Sequence, residues 1–248
     1  MDGTIAVGWG LAGILVLLVV AAALVVWFGG IGHWREVATA ALRAAGQLAL
    51  VSLVITAVLR SGWLTAVFVL LMFGIAALTS ARRVSTLRRG AWVAASIAAG
   101  VVPVLALLVG SGLVPASPVA VVPIAGILIG GAMTATTLAG RRALDELAAR
   151  RGEYEAALAL GLSTRDSALL VARPTAGQAL VPALDQTRTV GLVTLPGTFV
   201  GVLLGGAGPI QAGATQLVVL VALLAIEAVA VVVTVELVAA GWVSRAMP

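Results

Sequence analysis

The chain has 248 residues, of which 61% are hydrophobic and 10% charged, whereas a soluble domain carries about 25% charged residues. All its basic residues are arginine, giving a net charge of +5; it has no cysteine and a single histidine, His33. These counts exclude a soluble globular domain, a disulfide framework and a thiolate or multi-histidine metal site. The arginines fall in short loops between apolar runs, which is not the footprint of a nucleic-acid-binding face.

A helix that crosses a bilayer needs about 20 apolar residues. Seven runs approach that length, at roughly 5–28, 38–59, 63–81, 91–110, 119–140, 188–205 and 214–240. The first follows Asp2 with no base before Arg35. It reads as a retained helix, since a signal peptide begins with positive charge. The second carries Arg43, about one and a half turns in, with Gln47 one turn on. Arg43 can snorkel to the membrane surface or pair with Gln47 and with Glu236 or Asp185. The third and fifth runs hold Met72 and Met133, which are soft ligands in principle and packing residues more often. Trp9, Trp63, Trp92 and Trp242 fall near span ends, as interfacial anchors do.

Loop charge orients the spans, because arginine is retained on the cytoplasmic side. Arg82, Arg83, Arg88 and Arg89 follow the third run, and Arg141, Arg142, Arg150, Arg151, Arg165 and Arg173 follow the fifth. Two spans separate these loops, so both lie inside. The expected arrangement is an all-α polytopic membrane helix bundle of about seven transmembrane helices, N-terminus outside and C-terminus cytoplasmic. The sixth run is interrupted by Pro182 and by Pro196-Gly197. Proline removes a backbone donor, and such breaks survive in a membrane only inside protein or beside water.

The polar insert at 141–187 is expected outside the membrane. Residues 142–160 read as an amphipathic helix, with Leu144, Leu147, Tyr154 and Leu158 on one face. Gly161 suits a left-handed C-cap. Ser163 and Asp166 have capping-box spacing for a second helix. A helix lying in the headgroups is one reading of this segment. Its residues support another. Glu155-Ala156-Ala157, then Gly161 after three residues, then Val171 and Pro174, resemble the EAA loop of ABC-transporter permeases. The departure is Arg173, where that pattern has leucine. The resemblance implies a coupling helix that sits in a groove of a cytoplasmic ATPase.

The likeness extends over about residues 40–220. Ile129-Gly130-Gly131-Ala132-Met133-Thr134 leads into the insert. Thr189-Val190-Gly191-Leu192-Val193-Thr194-Leu195-Pro196-Gly197 follows it, and Gly205-Gly206-Ala207-Gly208-Pro209 and Gln216 come next. With Arg43 and Gln47-Leu48, these resemble the FetB-like family of ABC-transporter permeases, associated with iron export and related to plant aluminium-tolerance permeases. Gly130-Gly131-Ala132-Met133 stands where a Gly-Asn-Ser-Met-like run is expected, so an amide and a hydroxyl are missing.

Glu227 lies midway along the last run. A charge at the bilayer centre costs about 2.5–3.5 kcal/mol on insertion scales, so it faces protein or water. It serves either a cation or proton relay, or the bundle core as a neutral or paired acid. Gly197, Gly201, Gly205 and Gly206 permit close helix approach, or a broken helix lining a path.

The resulting expectation is one transmembrane permease domain over 1–248, with the coupling-helix insert at 141–187. Glu155, Ala156, Ala157, Gly161 and Pro174 would dock the ATPase. Arg43, Gln47, Met133, Pro196, Gly197, Gln216 and Glu227 are candidates for the translocation path. The chain lacks the GxxxxGK[ST] phosphate loop, so ATP would be bound by the partner subunit and the chain itself would need no cofactor and be no enzyme. The expected partners are a cytoplasmic ABC ATPase, a second copy of the permease and membrane lipid, with no nucleic acid, in the inner (cytoplasmic) membrane. A secondary transporter driven by an ion gradient through Glu227 is the rival reading.

Overall fold

Long runs of alanine, valine and leucine form helices in a membrane because each helix satisfies its own backbone donors and acceptors where water is absent. The computed structural model describes residues 8–245, and its helices follow the expected runs in order. Residues 5–7, the start of the first expected span, lie outside the described residues. The elements are α1 (Trp9–Phe28), α2 (Trp34–Arg60), α3 (Gly62–Val84), α4 (Leu87–Gly90), α5 (Val93–Gly110) and α6 (Pro118–Ala149). They continue with α7 (Arg151–Ala159), α8 (Thr164–Ala176), a 3-10 turn (Gly177–Leu180), α9 (Val181–Thr189), α10 (Gly197–Leu204) and α11 (Pro209–Ala239). Among the described residues, six stretches are long and apolar enough to cross a membrane: α1, α2, α3, Arg88–Gly110 containing α5, α6 and α11. The described residues contain no β-strand.

The chain divides into two units. The first holds α1 and α2, which pack on each other. Their connection turns through Gly30, Gly32 and His33, all at positive φ. No residue of α1 is buried, as suits a helix of uniform apolarity.

The second unit begins at Ser61, whose side chain accepts the Leu64 N–H and caps α3. Its core lies between α3, α5, α6 and α11, where Ile97, Leu128, Ala132 and Ile226 are fully or almost fully buried. Small residues bring these helices together, as they do where lipid removes the hydrophobic drive between helices. A Cβ on Gly100 would meet the Ile226 carbonyl oxygen at 2.7 Å, and one on Gly140 would meet Val84 Cγ1 at 2.8 Å. The Ser80 and Thr137 hydroxyls, 3.0 Å apart, tie α3 to α6 within the buried interior.

Two contacts give the direction of the longest helices. At their C-terminal ends, Arg245 beyond α11 reaches Asp145 of α6 and the Val84 carbonyl of α3. At their N-terminal ends, Val119 of α6 and Gln216 of α11 line one cleft. Thus α6 and α11 run parallel. Each exceeds about 45 Å, longer than the ~30 Å hydrocarbon layer, so the chain between them must return across. It does so without a long helix. Ala168, Leu169 and Ala172 of α8 pack near the C-terminal ends of α6 and α11. Ala179 packs one stage farther along, against Ala135, Ala139 and Val231. Finally Phe199 of α10 touches Gly213, near the start of α11.

This arrangement corrects two boundaries. The sixth crossing, expected at 188–205, is a broken passage beginning before Val181. Pro174 deletes a helical donor inside α8, Pro182 sits in the first turn of α9, Gly191 turns the chain at φ +81°, and Pro196 starts α10 anew. The helix expected at 142–160 is split at Arg150, where ψ is +35°. Its first part continues the fifth span as one rod, because residues 141–149 are good helix formers apart from Asp145 and include no glycine or proline.

Candidate functional site

The EAA-like segment sits on the C-terminal ends of α6 and α11. Arg150 and Arg151 begin α7, and each pairs with an acid one turn on: Arg150 with Glu153 and Arg151 with Glu155 at 2.8 Å. The hydrogen bond from Arg150 holds the Glu153 carboxyl below its ordinary value. The helix ends at Gly161, whose φ of +91° only glycine adopts without strain. Its N–H donates to Leu158 O, while the Leu162 N–H reaches back to Ala157 O, as in a helix C-cap. Ser163 then accepts the Asp166 N–H at 3.0 Å and opens α8.

Of the docking candidates, Glu155, Ala156, Gly161 and Pro174 are exposed, whereas Ala157 is buried in the α7–α8 hairpin. Leu160, which sequence reasoning passed over, is 82% exposed beside them. Behind α7 lies a groove of about 580 Å³, lined among others by Leu144, Leu147, Tyr154, Glu155, Val238 and Val243.

Arg173 acquires a role from its position. It donates to Glu236 Oε1 at 2.8 Å, and Arg165 donates to Glu236 Oε2 at 2.5 Å. One carboxylate of α11 therefore clasps both ends of α8. A leucine at 173 could not do this. Glu236, considered from the sequence as a partner for Arg43, is held by these two arginines, and Asp185 lies 3.8 Å from Arg188. Arg43 and Gln47 are exposed on α2, in the first unit.

At the opposite end of α6 and α11 is a cleft of about 1070 Å³. Three of the path candidates line it: Pro196, Gly197 and Gln216. Thr198, Gln186 and Gln211 join them, and only polarity marks these three in the sequence. The lining has amides and hydroxyls but no charged side chain. Gln216 is 4% exposed, and its Oε1 has no hydrogen-bond partner among the described residues. A buried acceptor of this kind favours a donor-bearing occupant.

Between the two ends, Glu227 is 8% exposed. A Cβ on Gly131 would lie 2.7 Å from Glu227 Oε1, so the missing side chain at 131 is what makes room for the acid. Met133, two residues on, packs against the core. No group of three or more acidic or histidine side chains suited to a metal ion occurs among the described residues.

A profile described as Uncharacterised protein family (UPF0014) matches residues 9–242. The chain belongs to this family. The UPF0014 membrane protein STAR2 of rice is 33% identical over 194 residues, 77% of this chain and 68% of that protein. Protein ALUMINUM SENSITIVE 3 of Arabidopsis thaliana is 35% identical over 162 residues, 65% of this chain and 59% of that one. The probable iron export permease protein FetB of Escherichia coli is 28% identical over 142 residues, 57% and 54% of the two chains. No solved structure matches. The UPF0014 assignment agrees with the resemblance read from the sequence, and with its helices makes this chain a multi-pass membrane protein.

Proposed function

We infer that this chain is the membrane-spanning permease subunit of an ABC transporter. A separate ATPase subunit docks on the 142–174 loop and powers export of a metal ion such as iron. The observation that carries this reading is mechanical. The rods α6 and α11 line the outer cleft near their N-termini and hold α7 and α8 at their C-termini. Movement of α7–α8 by an ATPase would tilt the same two helices that wall the cleft, a hinge or shear transmitted through rigid elements. The iron export named for FetB supports the substrate class. The neutral cleft lining suits a metal that keeps its own ligand shell. Two permease copies and two ATPase subunits complete the assembly, in the cytoplasmic membrane.

The test is co-purification with an ATPase encoded nearby, native protein against Gly161→Asp. Loss of ATPase stimulation and a rise in cellular iron are expected. Retained stimulation would overturn the docking role. The rival reading, gradient-driven transport, is favoured by Glu227, an acid without a hydrogen bond or ion pair among the described residues. ATP-independent transport in proteoliposomes, abolished in Glu227→Gln, would establish it in place of the first.

A further inference from the structure

The end of the second unit where α3, α6 and α11 finish carries a basic pocket lined by none of the docking or path candidates. It measures about 550 Å³ and is lined by Arg82, Arg83, Arg141, Arg245, Ser85 and Asp145, among others. Four arginines against one aspartate leave a net charge of +3. Asp145 is already engaged by Arg245, whereas Arg82, Arg83 and Arg141 have neither a hydrogen bond nor an ion pair among the described residues. The floor is fixed. Ser85 donates to the Ser244 carbonyl, Arg89 donates to Ser244 Oγ at 3.1 Å, and Arg245 Nε donates to Val84 O at 3.1 Å. The residues after α11 thus strap the turn after α3, and like charges are held together around an open space. Such an arrangement is stabilised by an anion.

Its depth and surroundings select the anion's source. Arg82 lies about 30 Å along α3 from Gly62, one hydrocarbon thickness from the other end. The Trp92 and Trp242 rings pack 4.5 Å apart nearby in the chain and are about half exposed, as aromatic side chains at headgroup level are. Leu64, Val67, Leu71, Ile75 and Leu78, all exposed, then Arg82 follow one another at spacings of three and four. They form a single stripe on α3. An acyl chain lying on this stripe would bring its headgroup phosphate to Arg82.

We propose that the pocket formed by Arg82, Arg83, Arg141 and Arg245 binds the phosphate of an anionic phospholipid of the inner leaflet, with its acyl chain along α3. Basic pockets between helices on the cytoplasmic side recognise headgroups in this way. The site is independent of the transported substrate.

The test uses the full chain purified in mild detergent, titrated with phosphatidylglycerol, phosphatidylcholine or inorganic phosphate, with bound lipid read by native mass spectrometry. Preferential retention of phosphatidylglycerol is expected, declining as salt rises. Arg83→Gln with Arg141→Gln should weaken it by about fivefold per charge removed. Arg88→Gln, which removes one charge outside the pocket, should leave it unchanged. Equal retention of phosphatidylcholine, a preference unmoved by salt, or an equal loss in Arg88→Gln would overturn the proposal. Displacement of the lipid by millimolar inorganic phosphate would also overturn it, by showing a site for a soluble anion.

Discussion

Glycines at the helix seams of the second unit meet different neighbours, and those neighbours set the effect of adding a methyl group. At Gly100 the new Cβ would lie 2.7 Å from a backbone oxygen of Ile226, which cannot rotate away. Gly100→Ala should cost about 1–3 kcal/mol, as overpacking does, and lower the melting temperature in detergent. At Gly131 the Cβ would meet the flexible ends of Leu223 and Glu227, so Gly131→Ala should melt closer to native. At Gly130 nothing lies within 4 Å, and alanine there is the neutral control. If all three melt alike, the packing of α5 on α11 is wrong. On α7, the hydrogen bond from Arg150 lowers the Glu153 pKa. A lowered folded pKa contributes stability that is full above the unfolded pKa and is lost as pH falls through the folded one. The amides at the start of α7 should therefore lose protection, measured against the intrinsic exchange rate at each pH, as pH drops below the carboxylate range. Arg150→Gln should abolish that dependence.

Among elements, the clasp of α8 by Glu236 is the most instructive. The carboxylate is 30% exposed and its arginine partners more so, so each pair contributes about 1 kcal/mol or less. Glu236→Gln should barely shift the melting temperature. It should nevertheless reduce ATPase stimulation, because α8 would no longer move with α11. Full stimulation in that variant would separate α8 from the coupling path. The caps of this hairpin were legible in the sequence, since Gly161, Ser163 and Asp166 act within a few residues of one another. The clasp was not, because Arg165 and Arg173 lie 71 and 63 positions from Glu236 and no local pattern joins them. The broken return passage was half legible. Its prolines marked the break, but only the packing of Ala179 against α6 and α11 shows that the crossing begins before Val181.

For the whole molecule, the parallel course of α6 and α11 makes an odd number of crossings from α3 onward. Ser61 and Ala207 should then face one side of the membrane, and Ser85 and Ser163 the other. The chain has no cysteine, so single cysteines at these four positions can be labelled with an impermeant maleimide on a clean background. Ser61 and Ala207 should react from outside in intact cells, and the other two only after lysis. Labelling of Ala207 together with Ser163 would remove the broken crossing. Apolar run length alone made the six long helices readable. The cleft was less so, because Gln186, Pro196 and Gln216 come from separate elements and converge only when α9, α10 and α11 pack.

The position of α11 in the chain bears on how the protein is made. Its most apolar stretch is 56% buried, the largest share among the long described helices, yet it leaves the ribosome after all the others. Until it arrives, Gly100, Gly131 and Gly140 line an unfilled seam between α3, α5 and α6. Biosynthesis therefore passes through a stage in which most helices are inserted and the interior is open. That stage is the one at which a membrane protease or an insertion chaperone would tell a finished membrane protein from an abandoned one.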